Sequence, residues 1–305
     1  MLSSTTDPLP SSASAASVTG RQLIVVRHGE RCDFVFNRQG APSWVARAFD
    51  SNGKYKPFDV NLPRSLPKRS DGIEQFEHDT PLTEMGYLQA KLLGRAMRDR
   101  GIRIDVVYSS HSLRCVQTAV GILKGVGAPS TMSICIEPGL FEWMQWCRGT
   151  KPSAMSRYEL AKNGYPVNMQ YVEMVRDSEL QLDETLEQYY HRSDSVIRAF
   201  LRQQTGPGTI LVVAHSGSLE ACTRLLCGGP ARSSQDFYYI LRNTPFLAAT
   251  RVVEEKAGSS TAWRHAGTPA LPLTHGANSA HDASLLAMES GQLRDHAERQ
   301  RRMAP

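Results

Sequence analysis

The run Leu23-Ile24-Val25-Val26, followed directly by Arg27-His28-Gly29-Glu30-Arg31, constrains this chain more than any other stretch. Four consecutive apolar residues bounded by polar sequence read as a short buried strand over 22–27. In open α/β sheets ligands bind at the carboxyl ends of the strands, and this strand carries a histidine between two arginines to that end. A nucleophile set among fixed positive charges is what a phosphate group requires. Thr209-Ile210-Leu211-Val212-Val213-Ala214 is the clearest buried strand of the chain, and it too ends in a histidine, within His215-Ser216-Gly217-Ser218.

Strands and helices alternate between these runs. Thr83 is placed to cap a helix to about Arg100, with Met85, Leu88, Leu92, Leu93, Ala96 and Met97 on one face and Gly101 as its stop. Ile104–Tyr108 reads as a strand. It leads through Ser109-Ser110-His111-Ser112 into a helix over Leu113–Leu123, whose first turn carries Arg114 among amides that attract anions. Ser133–Glu137 is a third strand, followed by a turn, Pro138–Trp143, that carries Glu142. Asp183 is the expected cap of a long helix to about Gln204, and a shorter helix follows from Leu219 to Cys227. Phe246–Glu254 and Thr261–His265 read as an antiparallel pair at the sheet edge. The alternation predicts an α/β fold, a mainly parallel central sheet with helices on both faces. Asp33 to about Pro81 contains too many Pro and Gly breakers for long elements and reads as a wall over the site. Residues 148–181 read as a second irregular insertion.

With 305 residues, 41% hydrophobic and 21% charged, the chain can bury a sizeable core. Residues 1–20 are expected to form a disordered arm, 21–276 the folded domain, and 277–305 a weakly ordered tail in which Asp282–Met303 forms a solvated helix. The net charge of +5 is mild, and part of it belongs to Arg294, Arg299, Arg301 and Arg302 in that tail. No basic stripe interleaved with aromatics points to nucleic acid. The sequence has no apolar run of the ~20 residues that span a bilayer and no leader-like start, so a cytoplasmic protein without a transmembrane segment is expected. The six cysteines contain no CxxC pair and read as reduced core thiols. No HExxH motif or cysteine cluster asks for a metal.

Parallel strands place their carboxyl ends on one edge, so Arg27, His28, Arg31, Arg114, Glu142 and His215 converge although they are distant in sequence. On these residues the chain resembles the histidine phosphatase superfamily, also called phosphoglycerate mutase-like, whose hallmark Arg-His-Gly matches Arg27-His28-Gly29. The resemblance is closer to the phosphatase domain of the UBA- and SH3-domain-containing suppressors of T-cell receptor signalling and to the insect ecdysteroid-phosphate phosphatases. It is carried by RHGERCD at 27, SLPKRS at 65, SLRCVQTA at 112, EPGLFEW at 137, VVAHSGSLEACT at 212 and LPLTHG at 271. The sequence leaves no room for the UBA and SH3 modules, so ubiquitin and SH3-ligand binding are not expected. The acid-phosphatase branch has a proline at the position of Asp33 and a His-Asp pair in place of His215-Ser216. The mutases continue as Ser-x-Trp-Asn where this chain has Arg31-Cys32-Asp33.

The resemblance implies a phosphomonoesterase without cofactor or metal, with a phosphomonoester substrate that is either protein phosphotyrosine or a small ester such as a steroid phosphate. A homodimer is compatible with it. His28 is the implied nucleophile, forming a phosphohistidine. Arg27, Arg31 and Arg114 are the implied phosphate clamp, with His215 beside them. Glu142 is the expected acid for the leaving oxygen, a bound phosphate dianion favouring its protonated form. Glu137 is the competitor for that role, although it reads more simply as a strand-end surface carboxylate. Two other readings remain at this level, a phosphoglycerate mutase and a non-catalytic phospholigand-binding scaffold built on the same arginines.

Overall fold

The computed structural model describes residues 20–147, 149–257, 260–270 and 281–303. Its described strands form a six-stranded sheet in the order β3-β2-β4-β1-β5-β6. The strands are β1 (Arg21–Arg27), β2 (Val106–Ser109), β3 (Ile134–Ile136), β4 (Gly208–Ala214), β5 (Ala249–Ala257) and β6 (Ser260–His265). The first four are mutually parallel, while β5 runs antiparallel to β1 and β6 antiparallel to β5. The expected mixed sheet, with its antiparallel edge pair, is what forms. The helices are α1 (Cys32–Phe36), α2 (Trp44–Ala48), α3 (Glu84–Asp99), α4 (Leu113–Val126), α5 (Arg157–Lys162), α6 (Leu186–Gln203), α7 (Ser218–Ala221), α8 (Ser234–Arg242) and α9 (Ser290–Met303).

Successive strand residues enter opposite cores, as the two-residue side-chain period requires. Ile24, Val26, Val107, Leu211 and Val213 pack on one face with Leu93, Met97, Val116 and Ile122 of α3 and α4. Leu23, Val25, Tyr108, Ile210 and Val212 pack on the other with Val196, Ile197 and Phe200 of α6. Both faces being covered explains why these strands are apolar throughout rather than alternating. Each fully buried aliphatic side chain contributes about 1.5–3 kcal/mol, so this double core dominates the stability that supports the site.

Thr83 caps α3 as expected, its Oγ1 accepting from the Gly86 N–H at 2.9 Å. The face assigned to that helix differs. Met85 and Leu88 are exposed, and the buried stripe is Gly86, Ala90, Leu93, Gly94 and Met97. Backbone approach to α4 decides this: a Cβ on Gly94 would lie 2.2 Å from the Ile122 carbonyl oxygen, and one on Gly125 2.0 Å from that of Lys91. Small residues, which carry little hydropathy, therefore define the contact. At α6 the cap is Thr185 rather than Asp183, in a capping box with Gln188. A hydroxyl at the N-cap with Gln or Glu three residues on satisfies two backbone donors reciprocally, which Asp183 does not achieve.

The breaker-rich 33–81 stretch admits only the short α1 and α2 and a 3-10 turn at Ile73–Glu77, although Trp44, Leu62 and Phe76 bury deeply. Past Ala221 the expected helix to Cys227 gives way to turns, and α8 forms where no helix was expected. The arm at 1–20, apart from Gly20, and the LPLTHG segment at 271 lie outside the described residues. Residues 281–303 carry a 3-10 turn at Ala283–Ala287 and α9, with Leu285, Leu286 and Leu293 buried. Three leucines in an otherwise polar stretch hold this segment down, helped by the Arg224–Glu289 ion pair at 2.8 Å. Among the described residues no helix is long and apolar enough to cross a membrane.

The α3–α4 contact predicts opposite signs for one substitution at two helical sites. Gly125→Ala forces a methyl into the Lys91 carbonyl and is expected to destabilise the fold by about 1–3 kcal/mol, whereas Gly291→Ala in α9 meets open space and is expected to be neutral or slightly stabilising. Urea unfolding of both variants checks this.

Candidate active site

Arg27 and Ala214 are register partners in the β1–β4 pair, and the next backbone amide, that of His28, donates to the Ala214 oxygen at 2.9 Å. The two strands therefore release His28 and His215 side by side, with ring centroids 5.5 Å apart. The turn after β1 is held by backbone contact. A Cβ on Gly29 would lie 2.9 Å from the Gly86 oxygen, and its N–H donates to Thr118 Oγ1 at 3.0 Å. Only glycine at both positions lets the start of α3 press against this turn.

His28 is buried, and its Nδ1 lies 2.9 Å from the Gly29 carbonyl oxygen. A carbonyl only accepts, so the proton is on Nδ1 and Nε2 carries the lone pair. Burial first, then Arg114, Arg27 and Arg31, hold its pKa well below the ordinary histidine value. The ring is thereby kept neutral. His215 is lowered in the same way, by burial, then by Arg114 and His28. Its Nε2 meets Ser110 Oγ at 3.0 Å and its Nδ1 faces an Arg114 guanidinium nitrogen at 3.4 Å. Arg114 only donates, so Nδ1 accepts and Nε2–H donates to Ser110.

Three guanidiniums surround these rings. Arg27 donates to the Thr244 carbonyl, and burial, opposed by Glu142 and reinforced by Arg31 and Arg114, pushes its pKa down to about 10. Arg31 makes a forked pair with Asp33 at 2.7 and 2.6 Å. Arg114 donates to Glu142 Oε1 at 2.7 Å with its side chain 2% exposed. The Nε of Arg27 and the Nε of Arg114 are buried without a partner among the described residues. Both N–H groups are free to donate to an anionic group held among the guanidiniums.

Glu142 keeps 26% side-chain exposure and lies 3.8 Å from His215 Nδ1. Arg192 fixes its backbone by donating to the carbonyls of Gly139 at 2.7 Å and Phe141 at 3.0 Å while pairing with Glu184. The expectation for Glu137 is overturned. It is fully buried, not on the surface, and accepts from Tyr171 Oη at 2.7 Å and from the amides of Gly139, Met174 and Val175 at 2.8, 2.7 and 3.1 Å. It ties Tyr171, Met174 and Val175 of the second insertion to the end of β3. The α4 amides are likewise engaged internally: the Leu113 N–H donates to Asp79 Oδ1 at 2.8 Å, and Asp79 pairs with Arg69 at 3.1 Å. The anion served by that helix start is Asp79.

The structure thus brings His28, His215, Arg27, Arg31, Arg114 and Glu142 to one sheet edge. Sequence reasoning missed Asp33 as the partner of Arg31, Ser110 as the partner of His215, and the Thr244–Leu247 turn behind Arg27. The serine cluster before α4 was the one visible signal among these. Among the described residues no group of three His, Cys, Asp or Glu side chains is arranged to hold a metal ion.

A family model for the histidine phosphatase superfamily (branch 1) matches residues 67–249. That match begins beyond Arg27-His28-Gly29, whose placement rests on the geometry above. The chain is 41% identical over 258 residues to ubiquitin-associated and SH3 domain-containing protein B of Mus musculus, covering 84% of this chain and 40% of that protein. It is 37% identical over 271 residues to the ecdysteroid-phosphate phosphatase of Drosophila melanogaster, covering 88% and 35%. It therefore spans less than half the length of these relatives. Among solved structures, that of the ecdysone phosphate phosphatase from Bombix mori in complex with tungstate superposes with a TM-score of 0.71 at 30% identity, covering 84% of this chain and 95% of that one.

Neutral buried histidines set the sign of a pH dependence. Below about pH 6.5 the unfolded chain takes up protons on His28 and His215 that the folded protein refuses, so stability falls with acid by about 1.4 kcal/mol per pH unit for each. His265, pushed down to about 4 by burial, adds to the same limb. Urea unfolding between about pH 7.5 and pH 5 is expected to show a shallower acid loss in His28→Ala than in wild type. An identical slope contradicts the assigned charge state.

Proposed function

The chain belongs to the histidine phosphatase superfamily, and from that premise we propose that it is a metal-independent phosphomonoesterase acting through a phosphohistidine on His28. The observation that carries this reading is the unprotonated Nε2 of His28 among guanidiniums, two of which hold buried N–H groups without a partner. In the first step Nε2 attacks phosphorus in line, the N–P bond forms and the ester P–O bond breaks. Glu142, acting as a carboxylic acid, gives its proton to the departing oxygen. In the second step water attacks the same phosphorus, Glu142 takes a water proton, and the N–P bond breaks to release inorganic phosphate.

Arg27, Arg31 and Arg114 neutralise the phosphoryl oxygens, with His215 beside them. Charge stabilisation of this kind is the main work in phosphoryl transfer, and it is the role a metal ion plays elsewhere. Residues 27 to 215 supply all six groups. The names of the similar proteins support a phosphoester substrate, with protein phosphotyrosine and steroid phosphates as the first two classes to assay. Six free cysteines, with burial raising Cys32, Cys115 and Cys222 above the ordinary thiol range, support a reducing compartment such as the cytoplasm.

Hydrolysis of an aryl phosphate in the presence of a chelator tests the reading. Wild type is expected to release free phosphate, His28→Ala to release none, and Arg114→Ala to lose roughly a hundred- to a thousandfold in kcat/KM. Glu142→Gln is expected to lose most on alkyl phosphates and least on p-nitrophenyl phosphate, whose leaving group needs no proton. Loss of wild-type activity on chelation, or interconversion of phosphoglycerates without phosphate release, contradicts it.

A further inference from the structure

The SLPKRS segment at 65 contributes no group to the chemistry above, and the structure gives it another place. Lys68, Arg69 and Ser70 lie in the first wall, and each bonds the second insertion. The Lys68 N–H donates to Asn163 Oδ1 at 2.7 Å, and its carbonyl accepts from Asn163 Nδ2 at 2.9 Å. The Ser70 N–H and hydroxyl donate to Glu159 Oε1 at 3.0 and 2.5 Å. Arg69 donates to the Ser153 carbonyl at 2.7 Å. Lys68 and Ser70 are exposed, whereas the Arg69 side chain is 1% exposed and turns inward.

Arg69 forks onto Asp71 through Nε and Nη2, both at 2.9 Å, and uses Nη1 for Asp79 Oδ2 at 3.1 Å. Asp79 is buried too. Its other oxygen, Oδ1, accepts from the Leu113 N–H at 2.8 Å, so each oxygen faces a donor and the group is held as a carboxylate. Burial raises its pKa, and Arg114, Arg69, the Leu113 amide and His111 oppose the rise. Arg69 faces it from the first wall, His111 from the turn before α4, and Leu113 and Arg114 from the helix itself. Leu113 opens α4 and directly precedes Arg114. The Arg114 side chain is 2% exposed and its carbonyl accepts from Thr118 Oγ1 at 2.8 Å. In so close-packed a setting it moves only with the first turn of its helix.

We propose that Arg69 is a positioning residue for the phosphate site, holding the Asp79 carboxylate, and with it the first turn of α4, so that Arg114 is directed at a bound phosphoryl group. This rests on the phosphatase reading, in which Arg114 clamps phosphate. Without Arg69, the Arg114 guanidinium is the one left to oppose the burial of Asp79 among the described residues. While charged, Asp79 then draws on the same guanidinium that phosphate needs; once protonated, it releases it. Its pKa rises when Arg69 is lost, because burial is opposed by one guanidinium fewer. Phosphate binding thereby acquires an ionisation that wild type lacks, and it is weaker above that ionisation than below it. A role confined to tying the two walls together produces no such ionisation.

The test measures kcat/KM for p-nitrophenyl phosphate and the inhibition constant of inorganic phosphate from about pH 5.5 to pH 8.5. Each is taken as a ratio to wild type at the same pH, so that the titration of phosphate itself cancels. Arg69→Met is expected to lose roughly tenfold to a hundredfold in kcat/KM, with an inhibition-constant ratio that increases with pH. Arg69→Lys returns a charge to Asp79 without the fork, and is expected to lose less, with a ratio flat in pH. Arg69→Met combined with Asp79→Asn has no carboxyl to titrate and is expected to be flat as well. Ser70→Ala unlinks the same two walls at Glu159 and is expected to keep wild-type values. Wild-type values or a flat ratio in Arg69→Met, a pH-dependent ratio in Arg69→Lys or the double variant, or an equal loss in Ser70→Ala overturns the assignment. If Arg69→Met does not fold, Arg69→Lys decides: reduced kcat/KM with Ser70→Ala unchanged supports the assignment, and wild-type kcat/KM overturns it. If wild type hydrolyses no ester, the phosphatase reading fails by itself, and calorimetric titration with inorganic phosphate supplies the same ratios; absence of phosphate binding then overturns both.

Discussion

The parallel pairing of β1 with β4, in register from Arg21 opposite Gly208 to Arg27 opposite Ala214, is the constraint on which the rest of this molecule depends. It sets two histidines at neighbouring strand ends, and it sorts the apolar residues of both strands between two cores. A slip of one residue exchanges those cores and turns every site-facing group inward. The register is thus specified by burial on both faces, and the positions of His28 and His215 follow without any local preference of their own. β2, paired with the far side of β4, then brings the start of α4 and Arg114 to the same edge.

Electrostatic tension is the second consequence. Three arginines crowd two buried histidines, and burial alone already disfavours every charge among them. Asp33, Glu142, the Thr244 carbonyl and two phenyl rings offset part of that cost, yet the Nε groups of Arg27 and Arg114 stay unmet. Burial first, and then the arginine field, keep both histidines neutral, which is the state a nitrogen nucleophile needs. Glu137, Asp79 and Arg192 lie one step back. Glu137 and Asp79 are buried and Arg192 is half-buried, each is held by several partners, and each fixes a segment that carries a candidate site residue: the turn after β3, the start of α4 and the backbone of Glu142.

Most of the sheet was legible because its strands are apolar runs that end in polar or glycine-rich sequence, and the convergence of the six candidate residues was legible because they lie at strand ends or in the first turn or loop beyond them. What the sequence hid has physical causes. The α3–α4 contact is made by glycines, so the hydrophobic pattern pointed to Met85 and Leu88, which are exposed. Glu137 resembled a surface carboxylate because its partners, Tyr171 and the amides of 174 and 175, come from an insertion without periodicity. Asp33 and Ser110 act on site residues through side-chain geometry that no spacing encodes, and the Thr244–Leu247 turn depends on a left-handed Leu247 that nothing in the sequence announces. The C-terminal segment was read as solvated since its three buried leucines are spread through polar sequence.

The account stands or falls on a covalent bond between phosphorus and His28. Rapid quenching of the protein during turnover of a phosphorus-labelled aryl phosphate measures it directly. The expected result is label retained on the protein in an acid-labile, alkali-stable bond, mapped to His28, formed no more slowly than the ester is hydrolysed and absent from His28→Ala. Steady turnover with no retained label, or label that persists in His28→Ala, would contradict it.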